Sequence, residues 1–214
     1  MPSCSCPNDL DRVFGPDRAR SDARDYRRHG LDRRSGVIRD FLVSRDIAGR
    51  TVLEIGGGIG ALQIDLLRAG AAHTENVEIS PAYEESARAL SGDLGLTERM
   101  SRRVGDFAAD ATAVADADAV ILHRVVCCYP HLAALVRPAA GHAKRWLILT
   151  FPTDRWWIRF GVAVQAAVMR AIRSRFRFYF HEPREIEAIG REAGLRRIFD
   201  RRGLFWEILA MERT

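Results

Sequence analysis

The spacing of apolar residues changes character several times along the chain, and each change predicts an element. Short apolar runs at Thr51–Ile55, His73–Ile79, Ser101–Gly105, Ala119–Val126 and Arg145–Phe151 read as strands. Helical patterns separate the first of them: Ala61–Ala69, and a second helix opened by Pro81 and running to about Leu90, with proline at its favoured early position. Upstream, residues 11–47 are charged and helical in pattern, with Val37, Ile38, Phe41 and Leu42 at helical spacing. Downstream, residues 153–178 form a long helical segment, and Glu182–Ala193 is a helix ended by Gly194. Two last strands, Leu195–Asp200 and Leu204–Met211, flank an Arg-Arg-Gly turn.

Strands alternating with helices predict an α/β fold: a doubly wound, mostly parallel seven-stranded sheet with helices on both faces. The terminal hairpin predicts one antiparallel strand, at the edge of the sheet. Residues 1–47 are read as a helical cap whose first ten residues are disordered. Residues 48–214 are read as one Rossmann-like domain, with residues 152–181 inserted as a helical cover.

Composition narrows the classes. The 214 residues are 47% hydrophobic and 29% charged, ordinary for a globular chain. The net charge of +5 is carried almost entirely by arginine, Lys144 being the only lysine. Such a bias gives little support to a nucleic-acid partner, and none is expected. Cys4/Cys6 and Cys127/Cys128 lack metal-ligand spacing, so no metal is expected; the second pair is placed in an apolar strand as small core residues. The N-terminus has no apolar run and no stretch is long and apolar enough to span a bilayer, which predicts a cytoplasmic protein.

The chemistry concentrates at Val52–Leu62, VLEIGGGIGAL, a strand running through glycines into a helix. Gly56, Gly58 and Ala61 satisfy a dinucleotide-binding pattern, so the glycines alone do not choose a ligand. Charge does. Glu54 stands two residues before the first glycine, where a pyrophosphate would sit over the helix N-terminus. A carboxylate about 5 Å from a phosphate repels it by about 1 kcal/mol or more. The same carboxylate attracts an ammonium group, and S-adenosylmethionine (SAM) carries an ammonium, a sulfonium and no phosphate. Glu78 ends the second strand, where an acid reaches a ribose diol. Asp106 and Phe107 follow the third strand, placed to meet an adenine amino group and ring.

Glu54 with Gly56, Gly58 and Gly60, an acid ending the second strand, and Gly105-Asp106-Phe107 after the third resemble the class I SAM-dependent methyltransferases over about residues 35–151. The resemblance implies SAM as cofactor, held by Arg28, Glu54, Gly56, Gly58, Gly60, Glu78, Ile79, Asp106, Phe107 and His123. The flanks LDRVFG, RRHG and Tyr129-Pro130 are similar to the magnesium-protoporphyrin O-methyltransferase group. Phe14 stands where that group has Tyr, and Cys128 where it has His.

Three side chains near the expected cleft are candidates for catalysis: His123, Tyr129 and His131. A base is needed only if the acceptor must lose a proton; a carboxylate is already ionised at pH 7. His123 ends the fourth strand among apolar neighbours, where a structural histidine is the competing reading. His131 competes with a plain surface residue, and His29, a substrate candidate, with a solvated helix face. In 153–178, Trp156, Trp157 and Phe160 are candidates to line a substrate pocket. The same segment has a second reading as a basic amphipathic helix touching a membrane or a second copy, and a third as simple packing on the sheet.

The expected function is methyl transfer to a small hydrophobic metabolite, a carboxylated one among the options, on oxygen first, with nitrogen or carbon as the alternative receiving atoms. The alternatives are a non-catalytic SAM- or lipid-binding partner protein and an NAD(P)-binding oxidoreductase.

Overall fold

A computed structural model describes residues 13–171, 173 and 177–214. Cys4, Cys6, the disorder expected for residues 1–10, and Leu10–Arg12 of the LDRVFG match lie outside the described residues. Two helices come first, α1 (Pro16–His29) and α2 (Arg33–Ser44). Gly30, at φ 70°, ends α1, and its N–H bonds the Tyr26 carbonyl. The Asp32 carboxylate then accepts from the Arg34 and Ser35 N–H groups and starts α2.

The sheet follows: β1 (Thr51–Ile55), α3 (Ala61–Arg68), β2 (His73–Glu78), α4 (Glu84–Asp93), β3 (Met100–Val104), a one-turn α5 (Phe107–Asp110) and β4 (Ala117–His123). After it come α6 (Leu132–His142), β5 (Ala143–Pro152), α7 (Trp156–Ala171), α8 (Pro183–Glu192), β6 (Leu195–Arg202) and β7 (Trp206–Arg213). The strand order is β3-β2-β1-β4-β5-β7-β6. Pairing is parallel from β3 through β5, and β7 is antiparallel to both β5 and β6.

The seven-stranded, mostly parallel α/β sheet is therefore as the sequence implies, with one correction. The antiparallel strand is not at the edge: β7 lies between β5 and β6. Its composition explains the order. Ile208–Met211 is buried without interruption, as a strand covered on both faces requires, whereas β6 (LRRIFDRR) carries four arginines and suits the rim.

Successive residues of the central strands serve opposite faces. Ala119 and Ile121 of β4, Trp146 and Ile148 of β5, and Ile208 and Ala210 of β7 join one core with α1–α4. Val120, Leu122, Leu147, Leu149, Leu209 and Met211 join the other, with α6 and α8. A second correction concerns Cys127 and Cys128. The fourth strand stops at His123, and the cysteines fall in a 3-10 turn, Val126–Cys128. Arg124 ends the strand because its φ of 62° is incompatible with an extended ladder.

Candidate functional site

The order in which the chain adds strands reverses between parallel β1 and β4, the place where open α/β sheets leave a crevice beyond their strand ends. A cavity of about 840 Å³ opens there. The β1–α3 loop, the ends of β2 to β4, and the inner face of α1 and α2 enclose it, with Phe178 and Trp206 at one side.

Glu54 lies at this site, almost fully buried. Its Oε2 has no hydrogen-bond partner. Burial pushes its carboxyl up to about 7, and Glu78 pushes the same way, while Arg102 and Arg124 pull it down. An orphaned acid in a cavity wall is costly and awaits a donor or a cation. Gly57 makes room for it: a Cβ there would stand 2.6 Å from Oε2. The Gly57 N–H donates to buried Asn76 Oδ1 at 3.0 Å, so β2 holds the loop under the acid. Gly58, at φ 55°, rests against the Tyr83 ring.

Glu78 is held more tightly. Its oxygens accept from the Gly58 N–H at 2.9 Å and the Ser80 N–H at 3.0 Å. Burial raises its pKa, and these backbone donors oppose the rise. The Ile79 N–H acts on the same carboxylate, which turns it toward the loop. Asp106 caps α5 by accepting from the Ala108 N–H, and its other oxygen accepts from the Tyr129 hydroxyl at 3.2 Å. Phe107 is buried behind it, edge-on to His142.

His123 lines the cavity, but both ring nitrogens are engaged. Ser35 Oγ donates to Asp32 Oδ2 at 3.0 Å, so His123 Nε2–H donates to Ser35 Oγ at 3.2 Å and Nδ1 accepts from Thr150 Oγ1 at 3.0 Å. Burial and the Arg124 guanidinium push the imidazole down to about 3, so it is neutral. Burial pushes Asp32 up, yet the Arg34 N–H, the Arg124 guanidinium and Ser35 outweigh it and hold it at about 2. The chain Asp32–Ser35–His123–Thr150 fastens α2 to β4 and β5, which is the structural role weighed for His123.

Of the sequence candidates, Glu54, Gly56, Gly58, Glu78, Ile79, Asp106, Phe107, His123, Tyr129 and His29 line one cavity. Arg28, Gly60, His131, Trp156, Trp157 and Phe160 do not line it. Gly60 instead caps α3 at φ 79°. Arg28 and His131 are exposed, and α7 buries no residue at all. The sequence reading missed Gly57, Asn76, Tyr83, Arg102 and Arg124. Asn76 had a signal, because Thr74, Asn76 and Glu78 put three polar side chains at alternate positions of one strand. Arg102 had none: it reaches under the loop to donate to the Gly58 carbonyl at 2.9 Å and pairs with Glu84 at 3.0 Å.

No protein-family model and no curated protein matches the sequence. Solved structures match it along most of its length. Magnesium protoporphyrin IX methyltransferase from Synechocystis PCC 6803 with bound S-adenosylhomocysteine (SAH) is 21% identical, covering 97% of this chain and 100% of that one, at a TM-score of 0.72. An O-methyltransferase family protein from Burkholderia thailandensis is 19% identical, covering 96% and 63%, at 0.71. Human N-acetylserotonin methyltransferase in complex with SAM is 17% identical, covering 100% and 60%, at 0.66. By its likeness to these solved methyltransferases over nearly its whole length, this chain has the class I methyltransferase fold.

Proposed function

We propose that the protein is a SAM-dependent methyltransferase acting on a small hydrophobic acceptor, with a carboxylate oxygen as the receiving atom. The observation that carries the reading is the unpartnered Glu54 Oε2, buried beside a glycine loop at the strand ends. An ammonium satisfies that oxygen; a phosphate is repelled by it. Two of the similar structures hold SAM or SAH, which fits the same choice.

Bound SAM supplies a methyl group on a positively charged sulfur. Glu54 holds the ammonium, Glu78 offers its carboxylate to the ribose, and Asp106 and Phe107 bound the adenine. Phe14, Phe178 and Trp206 line the cavity with apolar surface, and Arg34 and Arg124 bring two guanidinium groups to the stretch of wall beside Asp32, while Asp22 and Asp25 line the same cavity. A hydrophobic acid suits that lining, with its carboxylate toward the arginines. An ionised carboxylate needs no base, which agrees with a His123 already bonded at both nitrogens. Alignment then carries the rate: holding acceptor and donor in line is worth several kcal/mol of barrier.

The test is calorimetric titration with SAM, SAH and NAD, followed by SAH formation with a panel of aliphatic and aromatic acids and phenols. SAM and SAH bind, and at least one acid is methylated. Binding of NAD alone would return the site to the dinucleotide reading. Tight SAM binding without transfer to any acceptor would leave a SAM-binding partner protein.

A further inference from the structure

Helix α7 is built inside out for a globular protein. Its half-buried residues, Trp157, Ile158, Val162, Gln165, Ala166 and Met169, lie mostly on one side of the helix, and none of its residues is fully buried. Trp156, Phe160, Val164 and Val168 recur every fourth residue and form one stripe on the opposite side, 45–75% exposed. The stripe does not end with the helix. Thr153 bonds the Phe205 carbonyl through its N–H and the Leu204 carbonyl through its hydroxyl, both at 3.1 Å. That fixes the β6–β7 turn beside the start of α7, and Leu204 and Phe205 are themselves more than half exposed. Among the described residues, nine large apolar side chains are exposed, and six of them are in this one patch. Single exposed apolar residues are normal; a contiguous set marks a contact surface.

Charge selects the contact. Between Asp154 and Glu182 the sequence has six arginines, at 155, 159, 170, 173, 175 and 177, and no acid. Arg155, Arg159, Arg170 and Arg173 are exposed; Arg159 pairs with both flanking acids, Asp154 at 2.8 Å and Glu182 at 3.5 Å, and Arg155 lies over the Trp157 ring. A second copy paired through the same stripe would bring two all-arginine flanks into one interface, since a two-fold contact sets a surface against itself. An anionic lipid surface meets both halves of the patch: apolar side chains enter the acyl boundary, and arginines meet the headgroups. No described helix is long and apolar enough to cross a membrane, so the contact is in the interfacial plane.

We propose that α7 and the β6–β7 turn form a docking surface for an anionic lipid bilayer, with Trp156, Phe160, Val164, Val168, Leu204 and Phe205 entering the interface. The assignment does not depend on what the cavity binds.

Co-sedimentation of the full chain with phosphatidylcholine vesicles, with and without phosphatidylglycerol, tests it. Binding is expected to be at least about tenfold tighter with phosphatidylglycerol and to weaken in high salt, with a blue shift of tryptophan emission. The double variant Val164→Glu, Val168→Glu keeps the far-ultraviolet dichroism and melting profile and loses at least about tenfold in vesicle affinity. No binding to either vesicle, binding indifferent to headgroup charge, or unchanged binding by the double variant overturns the proposal. So does a concentration-dependent dimer that the double variant dissolves, which would give the surface to a second copy.

Discussion

Glu54 is where stability and binding pull against each other. Its displacement from 4.5 to about 7 corresponds to about 3 kcal/mol held against the ligand-free fold. The sign follows from linkage. Below pH 4.5 the acid is protonated folded and unfolded, and nothing is lost; the cost grows from pH 4.5 to 7 and is complete above. Glu54→Gln should therefore melt several degrees higher than the parent protein at pH 8, and at the same temperature at pH 4, by scanning calorimetry. The same variant should bind SAM about 1–3 kcal/mol more weakly at pH 8 by titration calorimetry. For the parent protein, SAM affinity should decline as pH drops through 7, because the ammonium must then displace a proton. A variant that loses both stability and affinity at pH 8 would mean the carboxylate is not an unpaired charge in the free protein.

At the scale of elements, the glycine loop and the α2 anchor position the site. Gly57→Ala puts a methyl against Glu54 Oε2, so SAM binding should fall at least as far as in Glu54→Gln while the sheet stays folded. His123→Ala takes the acceptor from the hydroxyl of fully buried Thr150, removes the donor to Ser35 Oγ and leaves a cavity, at a cost of about 2–4 kcal/mol by denaturant titration. Faster amide exchange should then be concentrated in Arg33–Ser44. What was legible in the sequence follows the range of the contacts. Glu54, Glu78 and Asp106 each sit at or beyond the end of a recognisable strand, so the strand pattern and the glycine motif together located them. Ser35 meets His123 across 88 residues, and Tyr83 meets Asp22 across 61. Local pattern has no access to such pairs. The fourth strand was drawn too long because Val125 and Val126 continue its apolar run; only the backbone of Arg124 shows where it turns. The place of β7 inside the sheet was equally out of reach, since alternation reports buried faces and not neighbours.

For the whole molecule, two buried groups shape the pH profile in opposite directions. Glu54 favours the folded state more as pH falls from 7 to 4.5. His123, pushed down to about 3 against 6.5 in the open chain, costs stability as pH falls from 6.5 toward 3. Each contributes up to about 1.4 kcal/mol per pH unit, so their sum is nearly flat between pH 6.5 and 4.5. In denaturant titrations at pH 5, 6 and 7, His123→Gln should gain stability on acidification relative to the parent, and Glu54→Gln should lose it. Parallel slopes for all three proteins would show that neither group is displaced.

The cavity wall is half sheet and half α1–α2, and side-chain and backbone oxygens hold that second half down: Tyr83 to Asp22, Tyr26 to Asp65, Ser80 to the Phe14 carbonyl, Ser35 to His123. A spent cofactor that leaves past this wall has to part those four bonds and push two helices through solvent. Turnover in the proposed reaction should thus slow in glycerol or sucrose in proportion to their drag, whatever the intrinsic speed of the methyl shift.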